Sequence, residues 1–196
     1  MEYFLYNLAK CFFALFVIID PFLGLAMFIS LTKKLSARER AEQASIAVFV
    51  AFGLLVVFLL LGVLVLELLG ISFASFVVAG GIILLVLGIQ VVLGIEFHKK
   101  RQRKAAAVLI GTPLLCGPGA MTTIIILGDQ YGYLVPVVAA AIALAMTWFM
   151  LYNAKRIQAF FGERLVEVLS RVLGLVIAAL AIEFIKDGVI AMVGSV

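Results

Sequence analysis

Gly111-Thr112-Pro113-Leu114-Leu115-Cys116-Gly117-Pro118-Gly119-Ala120-Met121-Thr122-Thr123 is the stretch that decides how this chain is built. It lies inside an apolar run from about Ala105 to Leu127, long enough to cross a bilayer. A straight helix does not place Gly-Pro-Gly at its centre. Glycine is entropically unfavourable there, and proline lacks an N–H and clashes with the preceding turn. The segment is therefore expected to unwind over Gly117, Pro118 and Gly119 and to restart with Ala120. Lipid offers no partner to the backbone groups freed in this way, so they must face a protein-lined cavity. Thr122 and Thr123 add two hydroxyls near the start of the new half-helix. The plainer reading is a proline kink that only helps helices to pack.

The rest of the chain is just as apolar. Of 196 residues, 66% are hydrophobic and 13% charged, and the mean hydropathy is +1.28. Soluble domains sit near half apolar and a quarter charged, so a bilayer is the solvent that suits this surface. Five further runs are long enough to cross it: about Phe4 to Leu31, Ala41 to Leu69, the run after Gly70-Ile71-Ser72 to about Ile95, Tyr133 to Tyr152, and Arg171 to Val193. The expectation is an all-α integral membrane domain over 1–196, with six transmembrane helices and little else. The first run follows Met1-Glu2 with no basic leader and no small-residue cleavage pattern, so it reads as a retained helix.

The cations sort by connector. Lys33, Lys34, Arg38 and Arg40 lie between helices one and two. Lys99, Lys100, Arg101, Arg103 and Lys104 lie between three and four, and Lys155, Arg156, Arg164 and Arg171 between five and six. The other two connectors carry no Lys or Arg. This positive-inside pattern puts the basic connectors in the cytoplasm and both termini outside a cell membrane. It also accounts for the net charge of +4 without nucleic acid.

The two halves match as inverted-topology three-helix repeats, about 1–97 and 103–196. Asp20-Pro21 interrupts helix one as Gly117-Pro118-Gly119 interrupts helix four, both near mid-membrane. Gly80 and Gly174 stand 94 positions apart, as do Gly94 and Gly188. Inverted repeats with broken first helices are a transporter architecture. Asp20 is expected to cap the restarted half of helix one, with Pro21 at its first position. An aspartate at that depth is costly unless paired or hydrated. Opposed half-helix N-termini would make a partly positive field suited to a carboxylate, while nearby carbonyls suit an ammonium group or a cation.

Other polar residues are weaker candidates. Glu183, one turn before Lys186, reads either as an ion pair or as a coupling-cation site, and Gln90 as an interhelical hydrogen-bonding group or a weak cation ligand. His98 has no partner at metal-ligand spacing, so no metal site is expected, nor any cofactor beyond a coupling Na+ or H+. Cys11 and Cys116 lie in apolar runs 105 positions apart. A thiol relay would want its cysteines at equivalent places in the repeats, and these are not. No catalytic triad or nucleotide loop is present, so an enzyme is not expected. The glycine-rich helices are compatible with a homodimer.

These residues resemble the MarC family of six-helix membrane proteins, also grouped as neutral amino acid transporters. The likeness rests on Asp20-Pro21, Phe28-Ile29-Ser30-Leu31-Thr32, Gly70-Ile71-Ser72, Ala79-Gly80-Gly81, Pro113 to Thr123, and Glu183 with Gly188. The family pattern has a glycine two residues after the first proline and a second proline three further on. Here those places hold Leu23 and Ala26, with the glycine moved to Gly24, which predicts a milder break in helix one. The resemblance implies secondary active transport of small neutral amino acids of the glycine and alanine class, coupled to sodium ions or protons. The implied site is Asp20, Pro21, Gly24, Gly117, Pro118, Gly119, Thr122 and Thr123. The competing class is a thiol-redox or inorganic-ion membrane carrier of related architecture.

Overall fold

The computed structural model describes residues 2–32, 35–94 and 115–194. Its elements are all helices: α1 Glu2–Ile19, α2 Pro21–Leu31, α3 Ala37–Leu68, α4 Phe73–Leu93, α5 Pro118–Tyr131, α6 Leu134–Tyr152 and α7 Ala154–Gly194. Five stretches are long and apolar enough to cross a membrane: Tyr3–Ile29, which joins α1 and α2, then Ala37–Leu68, Phe73–Leu93, Leu134–Tyr152 and Arg164–Gly194. The expected sixth crossing begins among residues outside the described set. Its second half is α5.

Three helix starts differ from the expectation, each for a local reason. α5 begins at Pro118 and not at Ala120, because a proline without an N–H is well placed in a first helical turn, so only Gly117 of the Gly-Pro-Gly stands outside the helix. α3 begins before Ala41 because Ser36 and Glu39 form a capping box. The Ser36 N–H donates to Glu39 Oε2 at 2.7 Å, and the Glu39 N–H donates to Ser36 Oγ at 3.3 Å. The connector expected between helices five and six is itself helical. α7 starts at Ala154 and is interrupted only at Gly162 (φ 75, ψ 157) before the apolar part begins. Hydropathy marks where a helix enters lipid, and these charged turns are good helix formers outside it.

The tightest packing in the fold is between α4 and α7, which run antiparallel. Small residues recur every seven positions on both: Ala74, Gly81 and Gly88 on α4, and Gly174, Ala181 and Gly188 on α7. Seven residues are close to two turns, so each set lies along one stripe. A methyl group added at Gly88 would sit 2.8 Å from both the Gly174 carbonyl oxygen and the Ala178 nitrogen. One at Gly81 would sit 2.9 Å from the Ala181 carbonyl, and one at Gly188 3.0 Å from the Ala74 carbonyl. The two backbones therefore touch, as membrane helices do where small residues face each other.

A second buried cluster joins Cys11 and Leu15 of α1, Ala44, Ala47 and Ala51 of α3, and Ala139, Ala140 and Ala143 of α6. Trp148 Nε1 near the end of α6 donates to Ser45 Oγ near the start of α3 at 3.0 Å. At the end of α4, Gly94 lies against the Arg171 guanidinium. These contacts gather the start of α3, the end of α4 and the start of α7 at one end of the bundle, so Arg38, Arg40, Lys155, Arg156, Arg164 and Arg171 share that end.

Gly88→Leu should lower the melting temperature of the purified protein, because backbone atoms cannot make way. Overpacking of this kind costs about 1–3 kcal/mol. Gly53, with nothing within 4 Å of an added methyl, should accept alanine with no loss. Thermal unfolding in detergent, followed by intrinsic fluorescence, compares the two.

Candidate site at two interrupted helices

Helix one does not merely bend. Asp20 sits between α1 and α2 in the left-handed region (φ 41, ψ 73), and it is the one non-glycine residue among the described residues with positive φ. The break expected at Asp20-Pro21 is a one-residue turn inside the single apolar span Tyr3–Ile29. The turn is set by Asp20 itself, whose short polar side chain tolerates this conformation and caps α2. Its Oδ1 accepts the Leu23 N–H at 3.1 Å, and its backbone carbonyl accepts the Gly24 N–H at 3.0 Å. Pro21 is the first residue of α2, where its missing N–H matters least. Asp20, Pro21 and Gly24 are all buried.

The second carboxylate oxygen reaches across the fold. Ser170 Oγ on α7 donates to Asp20 Oδ2 at 2.7 Å, with both side chains buried. The sequence reading missed Ser170 because it fell in a stretch taken as a connector. Its signal was position: Ser170 stands four residues before Gly174 and so extends the small-residue stripe that faces α4.

α5 starts differently. Gly117 is its N-cap and Pro118 its first residue, and no side chain caps it. Gly119 is buried against the side chains of Leu84 and Leu87 on α4. Gly80 on α4 leaves the space that the Thr122 side chain fills. Thr123 is fully buried, and its Oγ1 has no hydrogen-bond partner among the described residues. An orphaned buried hydroxyl is uncommon enough to ask for a reason. Residues from both breaks enter one buried cluster: Ile19 and Leu25 flank Asp20, and Leu115, Cys116 and Ala120 flank Gly117. With a rise of 1.5 Å per residue, α2 runs roughly 16 Å from its break and α5 roughly 21 Å. Each is about half or more of a hydrocarbon core near 30 Å thick.

The remaining candidates lie elsewhere. Gln90 is half-buried on α4. Glu183 is exposed on α7 and paired with Lys186, outside the cluster around Asp20 and Gly117. Cys11 and Cys116 are both free and buried. Among the described residues no group of three or more His, Cys, Asp or Glu is placed to hold a metal. His98 and the basic run Lys99 to Lys104 lie outside the described residues.

Long apolar helices, with a capped break and an uncapped one, define a polytopic integral membrane protein. The chain belongs to the MarC family: the model of the MarC family integral membrane proteins matches residues 5–193. A UPF0056 membrane protein of Methanocaldococcus jannaschii is 30% identical over 194 residues, covering 91% of this chain and 93% of the relative. One from Archaeoglobus fulgidus is 31% identical, covering 90% and 89%. The UPF0056 membrane protein YhcE of Escherichia coli is 29% identical, covering 92% and 90%. No solved structure matches the chain.

Ser170→Ala should destabilise the fold by about 1–3 kcal/mol, since it strips a buried partner from Asp20. Asp20→Ala should cost more, because it also removes the cap and leaves an alanine at φ 41. Asp20→Asn keeps an acceptor and tolerates that φ, so it should be the mildest of the three. Melting temperatures in one detergent would give the order.

Proposed function

We propose that this protein is a secondary transporter of small neutral amino acids, of the glycine and alanine class, coupled to Na+ or H+. It sits in the cell membrane with both termini outside and works by alternating access between two inverted repeats, about 1–97 and 103–196. The observation that carries this reading is the contrast between the two helix restarts. The α2 N-terminus is occupied by the Asp20 carboxylate. Among the described residues the α5 N-terminus has no side-chain cap, and the Thr123 hydroxyl on the same helix has no partner.

An uncapped N-terminus offers free N–H groups and a partial positive charge to a carboxylate. A buried aspartate offers negative charge to an ammonium group or a coupling cation. A zwitterion of short reach satisfies both. On this reading Gly117, Pro118, Gly119, Thr122 and Thr123 receive the carboxylate end, and Asp20, Pro21 and Gly24 the cationic end. Dense packing around Gly80 and Gly119 favours a substrate with a small side chain.

The packing pattern supports the repeat. α2 lies on α7 as α5 lies on α4, and α5 lies on α3 as α2 lies on α6. α4 pairs with α7, and α3 with α6, so exchanging the halves maps these neighbours onto one another. The small positions 74, 81 and 88 recur at 174, 181 and 188, a register of 100 beside the 94 that relates Gly80 to Gly174.

Proteoliposomes loaded under a sodium gradient, a proton gradient or none should accumulate radiolabelled glycine or alanine only when a gradient is present. Thr123→Val and Asp20→Asn should each lower the initial rate by about tenfold or more, as expected when a polar group that a substrate needs is removed from a buried site. Cys11→Ser with Cys116→Ser should leave it unchanged. No accumulation of any small amino acid under either gradient would refute the substrate class. Flux that ignores both gradients would mean a channel.

A further inference from the structure

α7 has a second face that none of the described elements packs against. Away from the stripe that packs on α4, Val172, Leu175, Ala179, Ile182, Val189 and Val193 are all exposed, and so is Lys186. Their spacing alternates between three and four residues over three full heptads. That is the spacing used at the seam of a left-handed helix pair, with one lysine at a seam position. Lipid can cover the apolar residues of such a row, but not the lysine.

The charges on this face make the same demand. Lys186 pairs with Glu183 and lies 3.8 Å from Asp187. All three side chains are about half exposed. They belong to the apolar span Arg164–Gly194, whose midpoint is Ala179. Glu183 is four residues from that midpoint, so it stands roughly 6 Å from the middle of the span. Charged groups at that depth do not face lipid; they face a protein interior or a water-filled space. A mixed set of one lysine and two carboxylates is also self-complementary. Across a two-fold axis, Lys186 of one copy meets Asp187 of the other at nearly the same depth, and the reciprocal pair forms by symmetry.

We propose that the exposed heptad face of α7 is a homodimer interface, occupied by the same face of a second, parallel copy of this chain. The lysine fixes register and the two carboxylates neutralise it. This surface lies on the far side of α7 from α4, so the pairing leaves the contact between the halves free. The proposal does not depend on the substrate.

In a background carrying Cys11→Ser and Cys116→Ser, Ile182→Cys should form a disulfide-linked dimer when native membranes are oxidised with copper phenanthroline. Phe49→Cys is a control on α3 with 78% exposure, and it should not. Lys186→Met should cut the cross-linked fraction by about three- to fifteen-fold, the range expected for an interhelical polar contact in a membrane. The cross-linking arm does not rely on that variant folding. Light scattering of the detergent complex should give the mass of two chains. Equal cross-linking from positions 182 and 49 would overturn the proposal, and so would a monomeric mass without cross-links. Ready labelling of Glu183→Cys by a membrane-impermeant maleimide would overturn it too, because the face would then line a water path.

Discussion

A backbone that leaves its helix inside a bilayer must find new partners there, because lipid supplies none. Both interruptions in this chain are answers to that constraint, and they answer it in opposite ways. At Asp20 the chain supplies its own partner: one carboxylate oxygen caps α2 and the other is held by Ser170. At Gly117 none of the described residues supplies a side chain. The same physical demand thus yields one helix end capped by a carboxylate and one with no side-chain cap among the described residues, with residues of both in a single buried cluster.

The closure at Asp20 also ties distant parts of the chain together. Ser170 and Asp20 are 150 positions apart in sequence, so the start of α2 is bonded to α7. The α4–α7 contact does so as well, through backbone atoms and the side chains seated at its glycines. One junction is polar and specific. The other is apolar and close-packed.

What the sequence made legible was local. Proline and glycine act on the backbone where they stand, so the restart at Pro21 could be read directly, and a capping aspartate needs only three residues of context. The second restart was expected at Ala120 and comes two residues earlier, at Pro118, because proline fits the first turn of a helix. Hydropathy located the spans because lipid imposes a length. It failed at the start of α7 and of α3, where charged turns continue a helix outside the hydrocarbon. Ser170 was hidden for a related reason: its role comes from a partner brought near only by folding. Glu183 had two sequence readings, ion pair or cation site. The pairing with Lys186 follows from their spacing on one helix, whereas which face of α7 they occupy depends on the packing of α4 and not on their own neighbours.

The glycine stripe between α4 and α7 has a mechanical consequence. Helices usually lock through ridges of side chains seated in grooves, and such teeth resist turning. Here backbone atoms touch, and Val78 and Val91 of α4 and Ile185 of α7 are seated at glycines of the opposite helix. Close contact over a long line holds the pair together by dispersion, with a few close-fitting teeth set into glycine notches. The junction is a clasp: a notch on one helix, a branched side chain on the other, hard to pull apart.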